Sequence, residues 1–228
     1  MEDEQIMADN LTLLEQELLS DIEERRELMS RIKALCPRYD FSPEDEQLFL
    51  NYSIPIVYAI WEGFIQTSFQ IYIRELNKLN LNINNICHSI LIYHIESTFS
   101  QFKQYPTKNN LKNKVKFFER LGLFYQCNTL IIHAEVNTES NVNFDVLNRI
   151  LTDFNLEEIP DYPEPRYSLA YELNEKLLKI RNAVAHGDNS IVVKREDLER
   201  VIRLVERLMD LVFERIKTGF TNKSYFRQ

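Results

Sequence analysis

Apolar side chains recur every three or four residues along almost the whole chain, and that period admits little besides helices. The cleanest run is Leu198, Val201, Ile202, Val205, Leu208, Met209, Val212 and Ile216, one stripe of a helix predicted over 197–216. The same spacing predicts helices over 10–35, 43–77, 85–102, 111–122, 144–154 and 169–185. Pro37 stops the first. Ser42-Pro43-Glu44-Asp45 starts the second with a hydroxyl cap, a first-turn proline and acids at the positive end of the dipole. Trp61, Phe64, Phe69, Tyr72 and Ile73 make that second helix apolar around much of its circumference, so it is expected at the centre, bent at Pro55. Pro106 and the three prolines within 160–165 mark loops. Two stretches compete with the helical reading, Ile90-Leu91-Ile92-Tyr93 and Thr129 to Val136, which have β character by propensity. Only four glycines in 228 residues argue against a loop-dominated β architecture. The expectation is an all-α bundle of six or seven helices with an amphipathic N-terminal helix.

Charge divides the chain unevenly. Residues 1–50 hold 14 acidic and 5 basic side chains, whereas 101–150 hold 4 and 7, and 201–228 hold 3 and 6. The overall charge of −8 excludes a protein that coats nucleic acid nonspecifically, but leaves room for a local basic surface. The acidic excess sits in residues 1–40, read as a helix that is either packed on the rest or extended as a coiled-coil arm. Residues 41–228 form the helical domain. Leu11, Leu18 and Ile32 fall on one seven-residue series and Leu14, Leu28 and Leu35 on another, with Asp21 and Arg25 spaced to pair.

Cys36, Cys87 and Cys127 lie too far apart for a zinc knuckle or a redox pair. His88 and His94 are six residues apart, about 120° around a helix, and His133 stands alone, so none reads as a metal ligand. Tyr52, Tyr58, Phe69 and Tyr72 fall near helical spacing and read as core. The acidic start Met1-Glu2-Asp3-Glu4 is the opposite of a signal peptide's, and the charge-free stretch from Leu79 to Ile95 carries four asparagines. The expectation is a soluble, cytoplasmic protein with no membrane partner, no metal and no cofactor.

The segment with chemistry in it runs from Lys179 to Asp188. Asn182 and His186 lie about 40° apart on a helix, while Arg181 is rotated about 140° from His186 and reaches the same point only if the helix ends there. Gly187 suits the left-handed position just past such an end. Histidine titrates in the range needed to move a proton, and arginine offers a fixed fork of donors to phosphate oxygens. RNA cut by its own 2′-hydroxyl needs those two services and no metal. The bland alternative is a helix-capping histidine and an arginine paired to an acid.

The string Arg181-Asn182-Ala183-Val184-Ala185-His186-Gly187 resembles the R-N-x-x-x-H signature of the HEPN superfamily (higher eukaryotes and prokaryotes nucleotide-binding). Trp61-Glu62-Gly63-Phe64 and Asn141-Val142-Asn143-Phe144 resemble stretches of its standalone nucleases from bacterial conflict systems, so the likeness covers roughly 45–220. The resemblance implies a metal-independent endoribonuclease with Arg181 and His186 as catalytic residues, Asn182 supporting them, and Glu62 contributing from an earlier helix. It also implies a homodimer with a composite active site, an RNA substrate, and an antitoxin or defence-system partner. Lys112, Lys114, Lys116 and Arg120 are the local candidates for guiding RNA phosphates. Asp188 stands where nucleotidylated members carry a tyrosine, which argues against that mode of silencing. The competing expectation is a non-catalytic HEPN-like binding or scaffold module, or an antitoxin-like partner. The intact Arg-Asn…His string favours the enzyme.

Overall fold

Thr12 and Glu15 close the start of the first helix reciprocally: the Thr12 hydroxyl accepts from the Glu15 N–H (3.3 Å) and the Glu15 carboxylate from the Thr12 N–H (2.8 Å). The computed structural model describes residues 12–98, 110–162, 167–188 and 190–227. In it α1 is Leu13–Arg38, α2 Pro43–Lys78, α3 His88–Thr98, α4 Leu111–Gln126 and α5 Phe144–Asp153. A composite α6 spans 169–185, and α7 is Arg195–Thr221. Among the described residues there is no strand, and isolated antiparallel bridges join Asn82 with Thr129 and Ile86 with Phe226. The all-α expectation holds.

Both segments of β character resolve otherwise. Ile90, Leu91 and Tyr93 turn one face of α3 into the core. Residues 129–136 form no strand: Leu130 N–H donates to the Leu81 carbonyl (3.0 Å), and beyond it the segment pairs with side chains. Ile132 N–H donates to Asn77 Oδ1 (2.7 Å), and the Tyr93 hydroxyl donates to the carbonyls of His133 (3.2 Å) and Glu135 (2.6 Å). A tertiary partner replaced the ladder that propensity alone suggests.

α1, α2 and α7 pack together as the main body. Trp61, Phe64, Phe69 and Tyr72 on α2 are fully buried, and so is the α7 stripe from Leu198 to Ile216. α1 lies along this body rather than projecting from it. It buries Leu14, Leu18, Ile22, Met29 and Ile32, while Leu28 faces out. Arg25 does pair with Asp21 (2.7 Å), and it also reaches across to the Ile60 carbonyl (2.9 Å) and the Thr67 hydroxyl (3.2 Å). Its path crosses Gly63, where a Cβ would stand 3.0 Å from the Arg25 Nη1. α2 is long and apolar enough to cross a membrane by composition, but half of that window is buried in the bundle, as in a core helix.

Helix ends shift where a cap or a contact decides them. α2 continues through Pro55. α4 runs past Gly122 to Gln126, because Phe124 is buried and stacks on His94 (ring centroids 5.7 Å apart). α7 begins two residues early, where Asp197 Oδ2 accepts from the Lys194 N–H (3.0 Å). The expected features at Asn10, Leu11, Phe102, Pro106, Pro163 and Pro165 lie outside the described residues.

The apolar breadth around Trp61 and along α7 invites the inference of surface left over for a second copy. The chain consumes that surface itself, with Trp61 at 0% exposure. Among the exposed apolar side chains are Leu48, Ile56 and Tyr52 on the first half of α2, Tyr52 against its reading as core because it falls on the outer face, and Leu111, Val115, Phe118 and Tyr125 on α4.

Candidate active site at the end of α6

α6 is built to stop at His186. Its start is fixed by Ser168, whose hydroxyl accepts from Tyr171 N–H (3.0 Å) and donates to Asp161 (2.9 Å). One α turn, Leu169–Tyr171, leads into a π-helical stretch, Glu172–Leu178, and then into the α-helical Lys179–Ala185. π turns are rare and recur at functional sites. Here the widened turn offers Asn174 to α5, where its Oδ1 accepts from the Phe144 N–H (3.2 Å). At the far end Asp188 N–H donates to Ala183 O (2.9 Å) and Gly187 N–H to Val184 O (3.0 Å). That pair of bonds with Gly187 at φ +76° is a Schellman stop. The helix therefore ends where the sequence requires it to, and His186 is left exposed as its C-cap.

Arg181 sits five residues back, about 7.5 Å along the helix axis. It is half-buried against α2. Its guanidinium lies over the Tyr58 ring, 4.3 Å from the centroid, and Nη1 donates to Asn182 Oδ1 (2.8 Å). Both partners are neutral, and among the described residues Arg181 forms no ion pair. The charge is held in place without being cancelled.

One turn of α2 organises this side of the site. The Tyr58 hydroxyl accepts from the Val142 N–H (3.0 Å), the Trp61 indole donates to the Val142 carbonyl (3.1 Å), and Glu62 accepts from the Thr138 hydroxyl (3.0 Å). Residues 138–142 are thereby strapped to α2, and Asn143 then caps α5 by accepting from Val146 N–H (2.8 Å). These bonds account physically for the Trp-Glu-Gly-Phe and Asn-Val-Asn-Phe stretches. Burial pushes the Tyr58 phenol up to about 12, with the Val142 N–H opposing, the Glu62 charge adding, and Arg181 opposing. The ring under Arg181 is un-ionised at any ordinary pH.

Tyr58 thus links the two helices: Arg181, beside Asn182, rests on its ring, and the Glu62 charge lies near enough to raise its phenol, while no contact joins Glu62 to Arg181 or His186 among the described residues. Tyr58 is buried as expected of a core residue, yet its ring also carries the Arg181 guanidinium, a contact that its sequence position does not announce. The only local signal is its place one turn before Glu62. Lys112, Lys116 and Arg120 are exposed and Lys114 half-buried on α4, which has no extended packing against α6. His88 is exposed at the start of α3. His94 Nδ1 accepts from the His133 N–H (3.2 Å), and burial together with the neighbouring His133 lowers its pKa. Among the described residues no three His, Cys, Asp or Glu side chains are grouped to hold a metal ion. Asp188 turns back on its own loop, accepting from the Ser190 hydroxyl (2.6 Å) and N–H (2.9 Å).

The described chain is thus a helical bundle in which one helix closes on Arg181-Asn182 and His186-Gly187. The model of the family described as RiboL-PSP-HEPN matches residues 20–218, and the chain belongs to that family. Membership makes it a nuclease-like or RNA-related module within a superfamily that includes ribonucleases. Neither a curated relative nor a solved structure matches it.

Proposed function

We propose that this protein is a metal-independent endoribonuclease of the HEPN type, with Arg181 and His186 as catalytic residues and Asn182 supporting them. One observation carries the reading. Arg181 is half-buried, held by a neutral ring and a neutral amide, and sits five residues before an exposed imidazole at a glycine-terminated helix stop. An arginine whose task was structural would be expected to rest on a carboxylate, as Arg200 rests on Glu172. In the proposed reaction His186 takes the proton of the 2′-hydroxyl as that oxygen bonds to phosphorus. The guanidinium stabilises the negative phosphorane, and the P–O5′ bond breaks as O5′ collects a proton. The products are a 2′,3′-cyclic phosphate and a 5′-hydroxyl. The nucleophile belongs to the substrate, so the scheme requires no metal-bound water.

One chain brings one imidazole to a reaction with two proton transfers. The reading therefore includes a homodimer with a composite site. The exposed Leu48, Tyr52 and Ile56, on the same helix as Tyr58 and Glu62, support a face for the second copy. Lys112, Lys114, Lys116 and Arg120 would guide RNA from α4. Cytoplasmic action in growth control or anti-phage defence, held in check by an antitoxin or defence-system partner, completes the proposal.

Purified wild type should degrade total RNA. His186→Ala and Arg181→Ala should each lower the rate by on the order of 10²-fold or more. Melting temperatures should change little, since His186 is exposed and Arg181 lies at the rim. Full activity in both variants contradicts the assignment, and loss of folding in both returns these residues to a structural role.

A further inference from the structure

We infer that Tyr58 is a positioning residue for the site: its ring face, rather than any carboxylate, holds the Arg181 guanidinium at the angle in which its free N–H groups meet a phosphate. The inference rests on the reading of Arg181 as catalytic and deepens it. An aromatic face attracts a cation through its quadrupole without offering a proton acceptor in the guanidinium plane. The N–H groups that a carboxylate would occupy stay free for another anion.

The platform itself is immobile. Tyr58 is 2% exposed, and its hydroxyl is tied to the Val142 N–H on the edge away from the stacked face. Trp61 holds the Val142 carbonyl and Glu62 holds Thr138, so the strap that fixes Tyr58 is itself fixed from the same turn of α2. The phenol keeps its proton throughout the working range, so the ring never presents an anion that would capture Arg181 as an ion pair. Asn182 supplies the second restraint, in the plane of the guanidinium. Ring below and amide beside restrain the guanidinium, and its other N–H groups make no hydrogen bond among the described residues.

The test reads the contact and the chemistry separately. In wild type the Arg181 Nε–Hε resonance, assigned by its loss in R181K, should be displaced upfield by the ring beneath it. It should stay displaced in Y58F and return to the ordinary arginine position in Y58M, which fills the space without a ring. In cleavage assays Y58M should lose about tenfold in kcat with KM little changed, because the misaimed charge acts on the transition state, and Y58F, which keeps the ring but loses the bond to Val142, should lose less. An ordinary Arg181 resonance in wild type overturns the inference, with no variant required to fold. So does a kcat for Y58M equal to wild type, or a fall in Y58F as deep as in Y58M. Wild type that shows the displaced resonance but cuts no RNA would sink the proposed activity while leaving the ring–guanidinium platform standing.

Discussion

Arg181 and Arg200 lie on packed helices and are held in opposite ways. Arg200 closes on Glu172, a carboxylate only 4% exposed, through Nε to Oε2 at 2.6 Å and a second bond between Nη2 and Oε1, and its charge is spent there. Arg181 rests on neutral groups and keeps its charge for a ligand. The histidines divide along the same line. His186 is exposed at a helix end, whereas His94 is packed on Phe124 and accepts a backbone hydrogen bond at Nδ1 that protonation would break. Burial, then the neighbouring His133, holds His94 below the ordinary 6.5. The unfolded chain therefore binds the proton first. His94's contribution to stability is complete above pH 6.5 and is lost as pH falls below it towards the folded-state value. Thermal melts of wild type and His94→Gln across pH 5 to 8 should differ in slope on the acid side, with the variant flatter. Parallel curves would remove His94 from the acid response.

Among the elements, the end of α6 has the most to lose from a small change. Gly187 at φ +76° is what lets the chain turn away and leave His186 uncovered. Gly187→Ala should cost about 1 kcal/mol, read as a lower urea midpoint, and should lower cleavage beyond that loss because His186 shifts with the turn. An unchanged midpoint would mean that the turn tolerates a Cβ. This helix end was legible in the sequence because all its determinants are local: the Arg-Asn…His string, the glycine and the preceding apolar period. The start of α2 was legible for the same reason, in Ser42 and Pro43. What could not be read is equally specific. The π stretch of α6 has no local signature, since Asn174 earns its place only by meeting Phe144 from another helix. The 129–136 segment looks like a strand because its residues suit one, and it lacks a neighbouring strand because Asn77 and Tyr93 take its backbone groups instead. Tyr58 reads as core from its spacing, and only the approach of α6 shows what rests on it.

At the scale of the molecule, α1, α2 and α7 bury most of what their periodicity offered, and the exposed apolar side chains include groups on the first half of α2 and on α4. That distribution moves the expected contact with a second copy away from Trp61 and towards Leu48, Tyr52 and Ile56. If the site is shared, excess His186→Ala protein mixed with wild type under subunit exchange should depress activity more than dilution does. Activity proportional to wild-type chains alone would make each subunit independent. The proposed chemistry is carried by side chains and by the substrate's own 2′-hydroxyl. The direct measurement is the end group left on a defined RNA cut by wild type in excess EDTA. That chemistry requires undiminished cleavage and a 2′,3′-cyclic phosphate on the 5′ fragment. Strict dependence on an added divalent ion, or a fragment ending in a 3′-hydroxyl, would contradict it.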